Sequence, residues 1–69
     1  MELKTYLSGK RGRTSRLARV MNVAPATVSQ WSSKVRRVPV LRCLEIEAIL
    51  HGAVTRQDLR PDIDWERLS

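Results

Sequence analysis

The tetrad Asn22-Val23-Ala24-Pro25 limits what this chain can become more than any other stretch. Asn tolerates the left-handed conformation that ends a helix, and Pro is favoured at the first position of the next one, where its missing N–H would be unpaired in any case. One helix is therefore expected to stop at Asn22 and another to start at Pro25. On one side of the break Leu17, Ala18 and Met21 fall at i, i+1 and i+4, and on the other Val28 and Trp31 fall at i and i+3, so each half carries one apolar stripe at helical spacing. Ala18 supplies the small side chain that two steeply crossing helices need, and Val23 and Val28 fill the angle between them. The stretch from Thr14 to Ser33 reads as helix, tight turn, helix.

The outward residues of the second helix give that unit a direction. Ala26, Thr27, Ser29, Gln30 and Ser33 are short and uncharged. A helix that merely faces water more often carries Glu and Lys, whereas short neutral groups suit a helix that enters a groove and reaches base edges. The pattern is that of a helix-turn-helix that reads DNA.

The distribution of charge points the same way. The chain of 69 residues has a formal net charge of +6, with ten Lys and Arg and no acid between Leu3 and Leu44; from Glu45 onward six acids face Arg56, Arg60 and Arg67. A solvated face usually mixes signs, and ten like charges in a small domain repel one another unless a polyanion neutralises them. Nucleic acid is the natural partner.

The remaining segments support the central unit. Leu3, Tyr6 and Leu7 predict a short helix over Met1 to Ser8 that covers the helix-turn-helix. A basic bend, Gly9-Lys10-Arg11-Gly12-Arg13, leads to Thr14 or Ser15 as the cap of the first helix of the unit; it lacks the Lys-Ser/Thr pair of a phosphate-binding GxxxxGK[ST] loop. Pro39 disfavours helix at Val38, which places a basic loop over Ser33 to Val38 containing Lys34, Arg36 and Arg37. A helix follows from Val40 to His51 with Gly52 as its stop, its inner side formed by Cys43, Ile46 and Leu50 and widened by Leu44 and Ile49, with Glu45 and Glu47 on the surface. Thr55-Arg56-Gln57-Asp58 resembles a capping box with Asp as its acid and carries Leu59; Arg60-Pro61-Asp62 breaks that turn. Ile63, Trp65 and Leu68 are too short a run to fold alone, so Trp65 either docks on the core, the reading we favour, or serves a contact with another chain.

Length and composition exclude several classes. The expectation is one domain over 1–69, all-α, with four to five short helices and a small core. No apolar run approaches membrane-spanning length and no signal-peptide pattern appears, so a cytoplasmic location is expected, with no membrane partner. Cys43 is the only cysteine and His51 the only histidine, which excludes an internal disulfide and a zinc set; Cys43 reads as a buried apolar residue and His51 as a residue near a helix end. No paired carboxylates and no nucleophile with a base are found, so the expectation is no enzyme and no cofactor. Tyr6, Trp31 and Trp65 offer no stacking platform for RNA.

The second helix with its AxATVSQW pattern, the RCLEIE that follows on the next helix and the closing VTRQDLRPDIDW resemble the YdaS-like branch of the phage Cro superfamily. The resemblance runs from Met1 to about Trp65. It implies a small all-α transcriptional regulator of phages and prophages, sometimes labelled an antitoxin because it is similar to proteins paired with a neighbouring toxin gene. It also implies that bases are read by the start and middle of the second helix, here Pro25, Ala26, Thr27, Ser29 and Gln30. Three positions depart from the pattern: Ala24 where relatives often have a Ser cap, Asn22 where they often have Gly, and Thr14 where many have a phosphate-binding Gln.

The functional expectation is a sequence-specific regulator that binds double-stranded DNA at an operator, a Cro-like repressor. Gln30 is the chief candidate for base readout, through adenine N6 and N7. Phosphates fall to Arg13, Thr14, Ser15, Arg16 and Arg19 at the first helix of the unit, and to Ser33, Lys34, Arg36 and Arg37 after the second. A weak homodimer, formed in solution or only on DNA, would read an operator built as an inverted repeat. The alternative, from a different class, is an antitoxin-type module that uses the tail over 53–69 to neutralise a toxin partner.

Overall fold

Residues 1–68 are described in the computed structural model of the chain; the Leu68 side chain, one of the three tail anchors expected from the sequence, lies outside the described residues, as does Ser69. Six helices follow in order: α1 Leu3–Ser8, α2 Arg13–Met21, α3 Pro25–Ser32, α4 Val40–Ile49, α5 Arg56–Leu59 and α6 Trp65–Leu68. The fold is all-α, a small helical bundle with a helix-turn-helix in α2 and α3.

The break between α2 and α3 forms where the local chemistry puts it. Asn22 takes the left-handed conformation (φ 58, ψ 45) and the Val23 amide reaches back to the Ala18 carbonyl at 2.9 Å, closing the end of α2. Pro25 then sits at the first position of α3. Leu17, Ala18 and Met21 of α2 are buried against Val28 and Trp31 of α3, with Ala18 only 1% exposed, as close packing at the crossing requires. Leu3 and Leu7 of α1, Val38, Cys43 and Ile46 complete this core. Burial pushes the Cys43 thiol above its ordinary range, so it is a packed apolar group rather than a reactive one.

The tail is part of that core. Val54 and Trp65 are both buried, and the Trp65 indole N–H donates to the Arg60 carbonyl at 3.0 Å. Thr55 and Asp58 form the reciprocal capping box of α5, at 3.0 and 3.1 Å, and the Met1 amine lies 2.9 Å from the same Asp58 carboxylate. Arg60 ties the tail to the loop before α4. Its guanidinium donates to the Val38 carbonyl at 3.0 Å and grips Asp62 through two N–H groups at 2.9 and 2.8 Å.

Three local expectations are corrected. Neither Thr14 nor Ser15 caps α2, because Gly12 adopts the left-handed conformation (φ 85) and starts the helix at Arg13, two residues earlier than a Thr14 cap would. The helix from Val40 ends at Ile49 rather than His51; His51 and Gly52 both take positive φ, so the reversal starts before the glycine. Glu47 is not merely a surface residue. It accepts from the Arg56 amide at 3.0 Å and pairs with the Arg56 guanidinium at 2.8 Å, bracing the start of α5 against α4.

The tail's carboxylates set an acid limit. The Arg60 guanidinium holds Asp62 down to about 2, and Glu47 and Asp58 are also lowered, by Arg56 and by the Thr55 amide respectively. A carboxylate lowered by folding stabilises the fold above its unfolded value, and that stability is lost as pH falls through the folded value. Acid titration should therefore show stability lost progressively down to about pH 2, and Asp62→Asn should flatten the lowest part of the curve. Arg60→Ala, which strips Val38 of its charged donor, should cost about 1–3 kcal/mol in urea denaturation; no change would mean that the tail is held by Trp65 and Val54 alone.

Candidate nucleic-acid interface

Helix α3 has two unlike faces. Val28 and Trp31 are 0% and 7% exposed, whereas Pro25, Ala26, Ser29, Gln30 and Ser33 are exposed and Thr27 is half-buried beside the core edge. Residues 26, 29, 30 and 33 follow i, i+3, i+4, i+7, so they form one stripe opposite the buried pair. The candidate base-reading residues thus share one accessible face, and Thr27 lies at its border.

The loop after α3 is folded back rather than loose. Lys34 takes the left-handed conformation (φ 64), and the amides of Val35 and Arg36 both donate to the Gln30 carbonyl, at 3.0 and 3.2 Å. This satisfies the end of α3 and presents Arg36 and Arg37 to solvent next to it. Lys34 lies 3.6 Å from Glu2 and Arg37 4.0 Å from Asp62; both pairs are exposed, and pairs of that kind are weak enough for a phosphate to displace. A cleft of about 250 Å³ collects Lys34, Arg36, Arg37 and Arg60 beside Trp31.

A second cationic group forms at α2. Arg13 and Arg16 line a cleft of about 340 Å³ together with Lys10 and Arg11, over a floor that includes Leu17 and Val20. Arg16, Arg19 and Ser15 are exposed, Thr14 half-buried. Arg13 is less available than its sequence position suggests: its guanidinium stacks 4.2 Å from the Tyr6 ring and donates to the Tyr6 carbonyl at 2.7 Å, fastening α1 to α2. Lys10 and Arg11 were not singled out as site residues from the sequence; their signal was the glycine-flanked bend that brings them beside Arg16. Arg60 was missed because its partner, the Val38 carbonyl, lies 22 residues away.

Among the described residues no three His, Cys, Asp or Glu side chains gather where a metal ion could sit, and no helix is long and apolar enough to cross a membrane. The fold and this face define a small helix-turn-helix protein. Its family is equally clear: residues 6–68 match the model of the family described as "Bacterial toxin YdaS", and the chain belongs to that family. It is 46% identical over 57 residues to a protein of Escherichia coli (strain K12) named "Putative transcriptional regulator YdaS". Those residues are 83% of this chain and 58% of the relative, so the chain spans little more than half of that protein's length.

The departure at Ala24 has a measurable consequence. Ala24 occupies the N-cap of α3 in extended conformation (φ −69, ψ 143) and supplies no side-chain acceptor to the first turn. Ala24→Ser should provide one and stabilise the fold by about 1 kcal/mol, a rise in Tm of about 4–8 °C for a domain of this size. An unchanged Tm would show that the first turn of α3 gains nothing from a cap.

Proposed function

We propose that this chain is a sequence-specific, double-stranded-DNA-binding transcriptional regulator, a Cro-like repressor of a phage or prophage, acting in the bacterial cytoplasm. The observation that carries the reading is α3 itself, a helix with one face buried and the other a stripe of short neutral groups, with cationic clusters nearby on α2 and on the loop that follows α3. Such a helix fits the major groove, with the cations on flanking phosphates. The name of the E. coli relative supports the regulator reading.

In this reading Gln30 contacts adenine through its amide, Thr27 meets a thymine methyl or a phosphate, and Pro25, Ala26 and Ser29 set how closely the helix approaches the bases. Arg16, Arg19, Ser33, Lys34, Arg36 and Arg37 take phosphates, with Thr14, Ser15 and the N–H groups of Arg13 not used on Tyr6 as lesser contributors. The chain's role is binding, without catalysis or cofactor. One α3 reads only a few base pairs, so a weak homodimer on an inverted repeat supplies the rest of the specificity.

Selection of bound sites from random duplex DNA tests this directly and should return an inverted repeat with half-sites about 10 base pairs apart. On a selected site Gln30→Ala should lose about 1–3 kcal/mol of discrimination at one base position, while Arg36→Ala and Arg37→Ala should weaken specific and random DNA alike and each lower the log-log salt slope by about one. A selection that returns no common sequence would overturn the reading.

The word toxin in the family's description favours a second reading, in which the chain acts through another protein. It includes the antitoxin-type module, with the acidic tail as its contact surface. The two readings separate in cells. If a growth effect of the expressed chain follows from misregulated promoters, Gln30→Ala relieves it; if it follows from a protein contact through the tail, that variant leaves it intact.

A further inference from the structure

The cleft of about 340 Å³ beside α2 combines two kinds of surface that a phosphate contact does not need together. Its rim is cationic: Lys10, Arg11 and Arg16 are exposed, and Arg13 is fixed in place by the Tyr6 ring and carbonyl. Its floor is apolar, built by Leu17 and Val20 of α2 and by Ile49 and Leu50 at the end of α4, with Val20 58% exposed. Residues 13, 16, 17 and 20 follow i, i+3, i+4 and i+7, so one stripe of α2 supplies both kinds of group. No residue of α3 lines the cleft.

The charge in the cleft lacks its counterpart. No carboxylate lines it, and Lys10, Arg11 and Arg16 have no acid partner among the described residues. The chain's own acids are engaged elsewhere: Glu2 with Lys34, Glu45 with Arg42, Glu47 with Arg56, Asp58 with the Met1 amine, Asp62 with Arg60 and Asp64 with Arg67, and Glu66 is engaged as well. The neutralising group therefore comes from another molecule, and it has to set anions on the rim and an apolar group on the floor. A duplex backbone supplies the first and lacks the second. We propose that the cleft binds an acidic segment of a partner protein, with a Leu-sized side chain seated on Val20, Ile49 and Leu50 and carboxylates on either side of it paired with Lys10, Arg11 and Arg16. Arg13, already held by Tyr6, forms a preorganised wall and loses little freedom when the segment binds. This contact lies on the basic half of the chain, apart from the acidic tail, and does not depend on whether α3 reads DNA.

The probe is a fluorescein-labelled peptide, Asp-Glu-Leu-Leu-Glu-Asp, titrated with the whole chain and followed by anisotropy beside the same peptide with Ser in place of Leu. The Leu peptide should bind about ten-fold more tightly. Added salt should weaken both peptides and leave their ratio unchanged, because screening acts on the rim and not on the floor. Val20→Ser, at an exposed position, should cut the advantage of the Leu peptide to about two-fold, and Arg11→Glu should weaken both peptides several-fold. Amide NMR shifts should fall on Arg16, Val20, Ile49 and Leu50 and spare the exposed stripe of α3. Equal affinity for the two peptides, or shifts centred on Lys34, Arg36 and Arg37, overturns the proposal. Two measurements test the other occupants. A saturating random duplex should leave the Leu peptide bound, weakened only a few-fold through Arg16; complete displacement assigns the cleft to DNA and overturns the proposal. Sedimentation of the free chain should be the same with and without Arg11→Glu or Val20→Ser; self-association that both variants abolish makes a second copy the occupant and likewise overturns it. A chain that selects no DNA sequence but holds the Leu peptide in this cleft keeps the inference and removes only the regulator reading.

Discussion

Asn22 leaves α2 with positive φ, and the direction it gives the chain decides what every later residue can do. With the Val23 amide bonded back to Ala18, the backbone turns at once into Ala24 and Pro25, and α3 lies across α2 at the one place where a small residue permits close approach. A helix continuing straight through Met21 would put Val28 and Trp31 in water and leave Leu17 and Met21 uncovered. The exposed stripe of α3 is thus a consequence of the turn, because burying one face of a short helix fixes the other.

The basic part of the chain depends in turn on the acidic part. Like charges packed in so small a volume oppose compaction, and the core of α1 to α4 is small. Val54 and Trp65 extend that core, and Arg60 carries the connection: it binds the Val38 carbonyl just before α4 while its own carbonyl receives the Trp65 indole. The same tail places Asp62 near Arg37, so the cationic loop is oriented by weak, exposed pairs that leave it open to a stronger anion.

The features legible in the sequence were those set within a few residues. The turn at Asn22 and Pro25, the apolar stripes, the Thr55 and Asp58 capping box and the start of α4 after Pro39 all depend on local backbone chemistry, and the structure has each of them. The features missed have other causes. Gly12 displaced Thr14 as the cap because a glycine free to take positive φ allowed the helix to begin sooner. Lys34 adopts positive φ without the Asn or Gly that usually announces it, since the backbone bonds to the Gln30 carbonyl outweigh the steric cost. Glu47 reads as a surface residue, Arg13 as a phosphate contact and Arg60 as part of a helix-breaking stretch because their partners, Arg56, Tyr6 and Val38, lie 9, 7 and 22 residues away.

Affinity and discrimination fall on different parts of this surface under the DNA-binding reading. Cations act on phosphates whatever the sequence, so Arg16, Arg36 and their neighbours raise binding to any duplex, and adding more of them would bring correct and incorrect sites up together. The neutral stripe of α3 adds little attraction of its own and can therefore penalise a wrong base, because an amide or hydroxyl pressed against a mismatched edge loses its hydrogen bonds to water without gaining others. With so few reading positions on one short helix, further discrimination has to come from repeating the helix rather than enlarging it. Pairing through a weak surface suits that need: a dimer too tight would bind single half-sites no better, whereas one completed on DNA makes occupancy depend on two correctly spaced half-sites at once.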